Sequence, residues 1–433
     1  MEKRLKISKS SINDAVLFMV VLMTVLLSKS YYFGVADRGF YQYVYYAVVA
    51  LGGAVVGLRR KRINKAGLVV LPLEMILAFS ILINQSDMSG SDINQVFGVI
   101  IIFVCVSFTA SYMSIGKFAK YYIKIISVLC MISIPCFIIA LVNRDLALSL
   151  CQPGYDWTVP VGYSFFYTWG WNGVIFHRNS GVFWEPGAFQ GFIILALLML
   201  LFNCDGTTIR HRKSVLCLLV VTLLTTQSST GYILLVLVLL TQWRRIQNIL
   251  GKNVNVALRN CLAAMIVIGG VYIVVSSGNI SSKLSSVSSD SAIIRLSDLL
   301  GGAIMVIKGG LVGFGETTIR NANRVLYGVS SNDSIGLFAM AYTYGIIFAG
   351  YYIWMMIKGV CRYFDISRIL DVIVIVSTFI ILHMTEGLWA LPVYIAIPVI
   401  GITGGLLAAI IHLWASKLTL CTLPISSNLE VAV

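Results

Sequence analysis

Residues 121–142 read YYIKIISVLCMISIPCFIIALV, with Lys124 as the one charged residue in the stretch. An α-helix needs about 20 mostly apolar residues to cross a bilayer, so the stretch is long enough. Its continuous apolar character favours a helix over the alternating pattern of a membrane β-strand. The stretch therefore predicts a transmembrane helix.

Similar apolar segments recur along the whole chain. Of its 433 residues, 58% are hydrophobic and 12% are charged, whereas soluble domains carry roughly 25% charged residues. We therefore predict an all-α fold, a single integral membrane domain over residues 1–433 with about twelve transmembrane helices. The predicted spans are 12–30, 41–58, 66–84, 94–113, 121–142, 186–203, 214–228, 230–243, 260–277, 334–357, 368–386 and 388–414.

The basic residues set the predicted orientation. With the N-terminus inside, the inner loops hold 23 of the 32 Lys and Arg residues and the outer loops hold 9. Cytoplasmic loops are the ones enriched in Lys and Arg, so both termini are predicted to be cytoplasmic. The run Arg59–Arg62 is the strongest single anchor. The net charge of +14 is read as this topological signal, and nucleic-acid binding is not favoured.

The segment 214–243 is too short for two ordinary crossings and too long for one. Basic residues flank it at both ends, at 210–213 and at 244–245. The same orientation rule then requires two crossings. We predict two short helices with a bend at 227–231.

Two outer loops are long, at 143–185 and 278–333. The first is rich in aromatic residues, including Trp157, Trp169, Trp171 and Trp184. In the second, residues 291–300 carry an apolar stripe at helical spacing, which is typical of a helix lying on the membrane surface. Long loops of this kind are usually functional or disordered, and these compositions do not indicate disorder.

Basic residues are disfavoured on the outer side, so those in the two long loops are candidates for ligand binding. Arginine binds phosphate groups through its planar fork. The alternatives are solvent exposure, or pairing with acidic residues such as Asp290, Asp298 and Glu316. The basic residues concerned are Arg178, Arg295, Lys308, Arg320 and Arg324.

The turn Arg178–Pro186, RNSGVFWEP, is the most informative stretch. It stands immediately before a predicted span and is preceded by His177. Glu185 lies at the start of that span, where it either caps the helix or acts as a general base or a ligand for a sugar hydroxyl. Trp184 and its aromatic neighbours either stack on sugar rings or form an interfacial aromatic belt.

Four features together resemble the O-antigen polymerases of the Wzy group, within the O-antigen ligase-like membrane proteins. The first two are the Arg-x-x-Gly-x-Phe-x-Glu-Pro turn at 178–186 and the bend TTQSSTG at 225–231. The third is an Arg-led helix from Ser291 to Lys308 followed by Gly-Phe-Gly at 313–315. The fourth is Ser331-Asn-Asp-Ser with Tyr344-Gly345-Ile346-Ile347 in the following span.

The resemblance implies a metal-independent glycosyltransferase without cofactor at the periplasmic face of the bacterial inner membrane. Its donor and acceptor are glycans linked to undecaprenyl pyrophosphate, and a chain-length regulator protein is an implied partner. Arg178 and Arg295 match the family's functional arginines. Arg320 and Arg324 are expected to assist with substrate binding, together with His177, Trp184 and Glu386.

Several alternatives stay open at this stage. Glu185, Asp333 and Glu386 are all candidates for the general base. Ligases of the same fold carry a His-Asn pair where this chain has Asn332 and Asp333, which favours a polymerase. A flippase for the same lipid-linked sugars would be expected to show charged spans, short loops and internal symmetry. A non-catalytic scaffold is the third class.

Overall fold

The computed structural model describes residues 9–36, 38–57, 69–150, 152–156, 159–169, 178–202, 209–251, 264, 291–330, 335–364, 366, 368–385 and 387–403. Helices dominate these residues, as predicted, and eleven of the twelve predicted spans coincide with a helix. The remaining span, 260–277, lies outside the described residues apart from residue 264.

The helices follow the chain in this order. The first six are α1 (Lys9–Leu27), α2 (Arg38–Gly57), α3 (Leu71–Asn84), α4 (Gly90–Tyr112), α5 (Ile115–Val142) and α6 (Arg144–Ser149). The next four are α7 (Pro186–Phe202), α8 (Arg212–Thr225), α9 (Ser229–Thr241) and α10 (Trp243–Leu250). The last five are α11 (Ser291–Gly309), α12 (Thr318–Leu326), α13 (Gly336–Tyr363), α14 (Ile369–Thr385) and α15 (Pro392–Thr403).

Among the described residues, three helices are long and apolar enough to cross a membrane, namely α4, α5 and α13. A fourth crossing results if α9 and α10, which meet at a bend of 79°, are counted as one broken span. Four shorter apolar helices accompany them: α1 from Ile12 onward, α7, α14 and α15. The fold is therefore a helical bundle with membrane-compatible helices, and the predicted count of twelve spans is not confirmed.

Helix α7 lies at the centre of the bundle. All its residues except Gly187 are buried, and it packs against α5, α8 and α9. A helix that is apolar on every side is the kind that becomes fully enclosed. The residues just before Pro186 are consequently fixed at the middle of one bundle end.

The segment 214–243 forms two separate helices, α8 and α9, so the prediction of two short helices is confirmed. The helices are 14 and 13 residues long and are separated by residues 226–228. The hydroxyl of Tyr232 donates to the Leu224 carbonyl at 2.8 Å across the break. Gln227, within the break, has a positive φ of 49°.

One end of the bundle, here named the Lys117 end, is held by contacts between helix termini. Asp14 of α1 pairs with Lys117 of α5 at 2.9 Å. Asp371 of α14 accepts hydrogen bonds from Gln242 at 2.9 Å and from Arg245 at 2.7 Å. These contacts join the start of α1 to that of α5, and the start of α14 to the end of α9 and to α10.

The other end, here named the Arg178 end, is held in the same way. The residue after Arg178 donates its backbone N–H to the Thr225 carbonyl at the end of α8, at 3.0 Å. Val393 of α15 donates its N–H to Ser28 Oγ, just beyond α1, at 3.1 Å. The end of α3 approaches the second long loop, where a Cβ on Gly315 would lie 3.0 Å from Asn84.

The all-α prediction needs one addition, because the first long loop contains a small sheet. Strands β1 (Gln152–Asp156), β2 (Val159–Tyr163) and β3 (Thr168–Trp169) form an antiparallel sheet in the order β1-β2-β3. Asp156 pairs with Val159, so β1 and β2 form a hairpin. The extended conformation suits the Val and Tyr residues here, and Pro and Gly disfavour a helix.

Candidate functional site

The turn 178–186 is built around one buried side chain. Asn179 is fully buried, and its amide nitrogen donates to Ser133 Oγ of α5 at 3.1 Å and to Thr225 Oγ1 of α8 at 2.9 Å. Its side-chain oxygen accepts from the backbone N–H of Gly181 at 2.9 Å. A buried amide with its donors and acceptor satisfied is rigidly positioned, so Asn179 fixes the turn against two helices.

Arg178 is half-buried and extends from this fixed point. Its Nε donates to the Thr226 carbonyl at 3.2 Å, at the break between α8 and α9. The turn at 178–186 and the bend at 225–231, separate motifs in the sequence, therefore meet in the structure. Helix ends leave unsatisfied carbonyls, and Arg178 binds one of them.

Gly181 and the aromatic residues after it dock the turn onto α7. Gly181 has a φ of 55°, and a Cβ there would lie 2.8 Å from the ring of Phe189. Phe183 is fully buried, and its ring centroid lies 4.2 Å from that of Phe192. Glycine is required here because it tolerates positive φ and leaves room for the Phe189 ring.

The last residues of the turn, 183–185, pair with the residues that follow α1. Trp184 donates its N–H to the Lys29 carbonyl at 3.0 Å, and Ser30 forms a β-bridge with Phe183. The Nζ of Lys29 lies 3.4 Å from Oε1 of Glu185, with the two side chains 25% and 30% exposed. Glu185 therefore stands at the mouth of α7 as one half of a partly exposed ion pair.

An aromatic cluster that includes Trp184 lies beside this ion pair. The Trp184 ring stacks against Tyr31 with centroids 6.1 Å apart, and Tyr31 lies 4.7 Å from Tyr163 of β2. Tyr32 lies 4.1 Å from Phe165, which is 48% exposed. Because sugar rings and membrane interfaces both favour such rings, the cluster supports both interpretations of Trp184.

The second long loop folds as a unit of α11 and α12. Asp298 of α11 is 2% exposed and accepts from Ser330 N at 2.6 Å and from Ser330 Oγ at 2.7 Å. Arg324 of α12 donates to the Ser330 carbonyl. The loop is therefore closed by hydrogen bonds to Ser330, and Arg324 takes part in that closure.

Arg320 forms an ion pair with Glu316, one of the acidic residues that the sequence offers as partners for the basic residues of the loop. Both side chains are largely buried, at 15% and 10% exposed. The hydroxyl of Tyr344 in α13 donates to the other carboxylate oxygen of Glu316 at 3.2 Å. This cluster attaches the loop to α13, while the predicted role of Arg320 in substrate binding stays a prediction.

The Gly-Phe-Gly motif and the Tyr344-Gly345 motif also meet. Phe314 donates its N–H to the Tyr342 carbonyl at 2.9 Å, and Gly315 donates to the Thr343 carbonyl at 2.8 Å. Helix α13 is interrupted at Gly345, where φ is 90° and ψ is 163°. This interruption frees the backbone groups of α13 that bind the loop.

The two loop regions are connected through residues 388–393. The Trp389 ring lies 5.2 Å from that of Tyr344, whose hydroxyl binds Glu316. Four residues further on, Val393 binds Ser28, the neighbour of Lys29. The two loops therefore pack on the same end of the bundle.

The remaining predicted site residues are placed as follows. His177, Asp333 and Glu386 lie outside the described residues. Arg295 is in the first turns of α11, and its side chain is also outside the described part. The structure thus holds Arg178, Trp184 and Glu185 in one turn, with Arg178 bonded to Thr226 on one side and Glu185 paired with Lys29 on the other. Arg320 and Arg324 lie in the second loop.

Sequence reasoning missed Lys29, Asn179 and Thr226. A signal for Lys29 was present, since it is a basic residue on the predicted outer side. Asn179 and Thr226 gave none, because their role depends on contacts between residues 46 to 48 positions apart. Within the described residues, no group of three or more His, Cys, Asp or Glu residues is arranged to hold a metal ion.

Comparison of the sequence with protein-family models gave no match. Comparison with curated proteins likewise gave no significant match.

Proposed function

We propose that this chain is a membrane glycosyltransferase that polymerises glycan repeat units carried on undecaprenyl pyrophosphate, at the periplasmic face of the bacterial inner membrane. The observation that carries the proposal is the fixed turn at 178–186. It holds Arg178, Trp184 and Glu185 at one end of the bundle, where a cation, an aromatic face and a carboxylate are brought within one short segment. We also propose that the chain has twelve transmembrane spans and that both of its termini are cytoplasmic.

The contacts between helix termini support the proposed alternation of spans. The starts of α1, α5 and α14, all predicted to be cytoplasmic, contact one another or the predicted inner ends of α9 and α13. The predicted outer ends of α1, α3 and α8 contact the Arg178 turn, α15 or the second loop. Within each set, the contacts join helix ends that are predicted to lie on the same side of the membrane.

The proposed reaction is a single transfer of a glycan between carriers. The hydroxyl oxygen of the acceptor sugar attacks the anomeric carbon of the donor glycan and forms the new glycosidic bond. The bond from that carbon to the pyrophosphate oxygen breaks, and its electron pair leaves with undecaprenyl pyrophosphate. The hydroxyl proton goes to a carboxylate, for which Glu185 is the candidate that lies in the described turn.

Arg178 is proposed to stabilise the charge that develops on the departing pyrophosphate. A preorganised cation is effective because it needs no rearrangement when the charge appears. The hydrogen bond from Nε to Thr226 orients the guanidinium group, and its terminal nitrogens are the atoms proposed to contact the pyrophosphate. Arg295, the second arginine implied by the resemblance, is proposed to share this role from the start of α11.

The test is the glycan length distribution in cells that lack the gene and carry wild type, Arg178→Ala or Arg210→Ala. Arg210 is exposed and belongs to the opposite end of the bundle, so it serves as the matched control. We expect wild type and Arg210→Ala to restore a ladder, and Arg178→Ala to leave single repeat units at an equal protein level. A normal ladder in cells that lack the gene would overturn the proposed function, and a normal ladder with Arg178→Ala would overturn the role proposed for Arg178.

The same gel distinguishes the other functions. A polymer that accumulates on the lipid carrier, with none transferred to lipid A–core, would indicate a ligase. Single lipid-linked units trapped on the cytoplasmic face would indicate a flippase.

A further inference from the structure

We propose that Lys29 is an anion-binding residue of this site and contacts the pyrophosphate of the lipid-linked substrate, with Glu185 holding its ammonium group in place when the substrate is absent. The inference rests on the proposed function and extends it to a residue from a different part of the chain. Three observations carry it: the backbone conformation of Lys29, its ion pair, and its position beside the turn.

The backbone of Lys29 is in the left-handed region, with φ at 64°. Helix α1 ends at Leu27, and glycine, or sometimes asparagine, is the usual residue in this conformation after a helix. Lysine is strained there, because its Cβ crowds the backbone. Strain of this kind persists where the surroundings enforce it and is concentrated at functional sites.

The strain is also localised. Among the described residues, Lys29, His211 and Gln227 are the non-glycine residues with positive φ. Lys29 is paired with the turn through Trp184, and Gln227 follows Thr226, which accepts from Arg178. Two of the three strained residues therefore flank the same turn, one on each side.

The surroundings of Lys29 enforce its conformation. Its N–H donates to the Leu27 carbonyl at 3.1 Å and its carbonyl accepts from Trp184. The next residue, Ser30, is bridged to Phe183. These bonds hold the backbone, so the direction in which the side chain leaves it is fixed near the mouth of α7.

The ion pair with Glu185 is suited to exchange. At 3.4 Å it is longer than a typical charge-assisted hydrogen bond, and both side chains are partly exposed. Such pairs contribute little net stability. A diphosphate, with more charge and more acceptor oxygens than one carboxylate, would therefore compete well for the ammonium group.

The competing explanation is that Lys29 serves the helix alone, since a basic residue near a helix C-terminus interacts favourably with its dipole. The substitution Lys29→Asn separates the two explanations, because asparagine tolerates the left-handed backbone and carries no charge. Lys29→Arg keeps the charge. Lys117→Asn is the matched control, because Lys117 forms a similar pair with Asp14 at the opposite end of the bundle.

The experiment measures the thermal stability of the full-length protein in detergent against added inorganic pyrophosphate. We expect wild type, Lys29→Arg and Lys117→Asn to be stabilised at similar concentrations. We expect Lys29→Asn to be at least as stable as wild type without ligand. It should need about tenfold more pyrophosphate for the same stabilisation, because one charged contact is lost. A second arm replaces inorganic pyrophosphate with a polyprenyl pyrophosphate. If the polyprenyl compound binds more tightly, the natural ligand of Lys29 is the lipid-linked diphosphate. If the two bind equally, the ligand is the free diphosphate.

The inference is overturned if pyrophosphate does not stabilise wild type, or if Lys29→Asn responds at the wild-type concentration. It is also overturned if Lys117→Asn weakens the response equally. These outcomes are independent of the glycan ladder. Pyrophosphate binding that depends on Lys29, in a protein whose gene can be deleted without changing the ladder, would retain the anion site and overturn the proposed polymerase function.

Discussion

Gly313 and Gly345 lie so close together that a Cβ atom on Gly313 would stand 2.5 Å from the backbone nitrogen of Gly345. A Cβ on Gly345 would overlap the carbonyl of Leu311. Both residues have positive φ, at 79° and 90°. The second long loop is therefore attached to α13 through backbone contacts that exclude side chains at both positions.

We expect Gly345→Ala to destabilise the protein strongly. The substitution combines a left-handed backbone, which costs roughly 1–2 kcal/mol for a non-glycine residue, with a clash against fixed backbone atoms. Thermal unfolding in detergent should show a lower midpoint, with less folded protein in the membrane fraction. Gly350→Ala in the same helix has open space and should be neutral or slightly stabilising; equal midpoints for the two variants would contradict this account.

Under the proposed function, Asn179→Ala should displace Arg178 and abolish glycan polymerisation. The substitution removes the hydrogen bonds to Ser133 and Thr225. The free energy of unfolding should fall by about 1–3 kcal/mol, because buried polar groups lose their partner. The readouts are the glycan ladder and the unfolding midpoint. Asn323→Ala, which loses one bond to the Ile319 carbonyl of its own helix, should change neither. A full ladder with Asn179→Ala would show that the turn keeps its function without this anchor.

Asp371→Ala should lower stability more than Asp14→Ala. The Asp371 side chain is 6% exposed and that of its partner Arg245 is 32% exposed, whereas Asp14 and Lys117 are 53% and 48% exposed. Removing Asp371 leaves Gln242 and Arg245 without this acceptor, which should lower the free energy of unfolding by about 2 kcal/mol or more. The exposed pair should contribute about 0–1 kcal/mol. Denaturation in mixed micelles measures both, and the opposite ranking would contradict the prediction.

Arg320→Gln and Glu316→Gln should each destabilise the second loop, and the double variant should recover stability. Each single variant leaves one buried charge of the pair without its partner, which is costly, whereas two neutral side chains can hydrogen-bond to each other. The unfolding midpoint and the glycan ladder of the three variants measure this. A double variant no more stable than the single variants would contradict this account, whereas one that regains stability without regaining the ladder would assign Arg320 to the substrate.

Much of the helical framework could be predicted from local sequence. Within the described residues the predicted apolar segments coincide with helices, and the segment 214–243 forms the two short helices that were predicted. The interruption of α13 at Gly345 was not predicted, because an isolated glycine in an apolar run has no local signal for the loop that packs against it. The hairpin of β1 and β2 was missed for a related reason, since its residues show no clear apolar alternation.

The candidate site was predicted in part. The turn at 178–186 stood out because its residue types are unusual beside an apolar span. The pairing of Lys29 with Glu185 could not be predicted, because the two residues are 156 positions apart and no local pattern links them. The position of Arg320 was recognisable, but only the structure shows that Glu316 rather than another acid is its partner.

The shortness of α8 and α9 has a consequence for how a lipid would reach Arg178. A helix of 14 residues is about 21 Å long, roughly 9 Å less than the hydrocarbon thickness of a bilayer. In a membrane, the break that holds Arg178 would therefore lie below the level of the neighbouring headgroups, at the floor of a depression. Under the proposed function, a polyprenyl carrier would enter that depression from the side, and its diphosphate would reach Arg178 at the depth where its hydrocarbon tail begins.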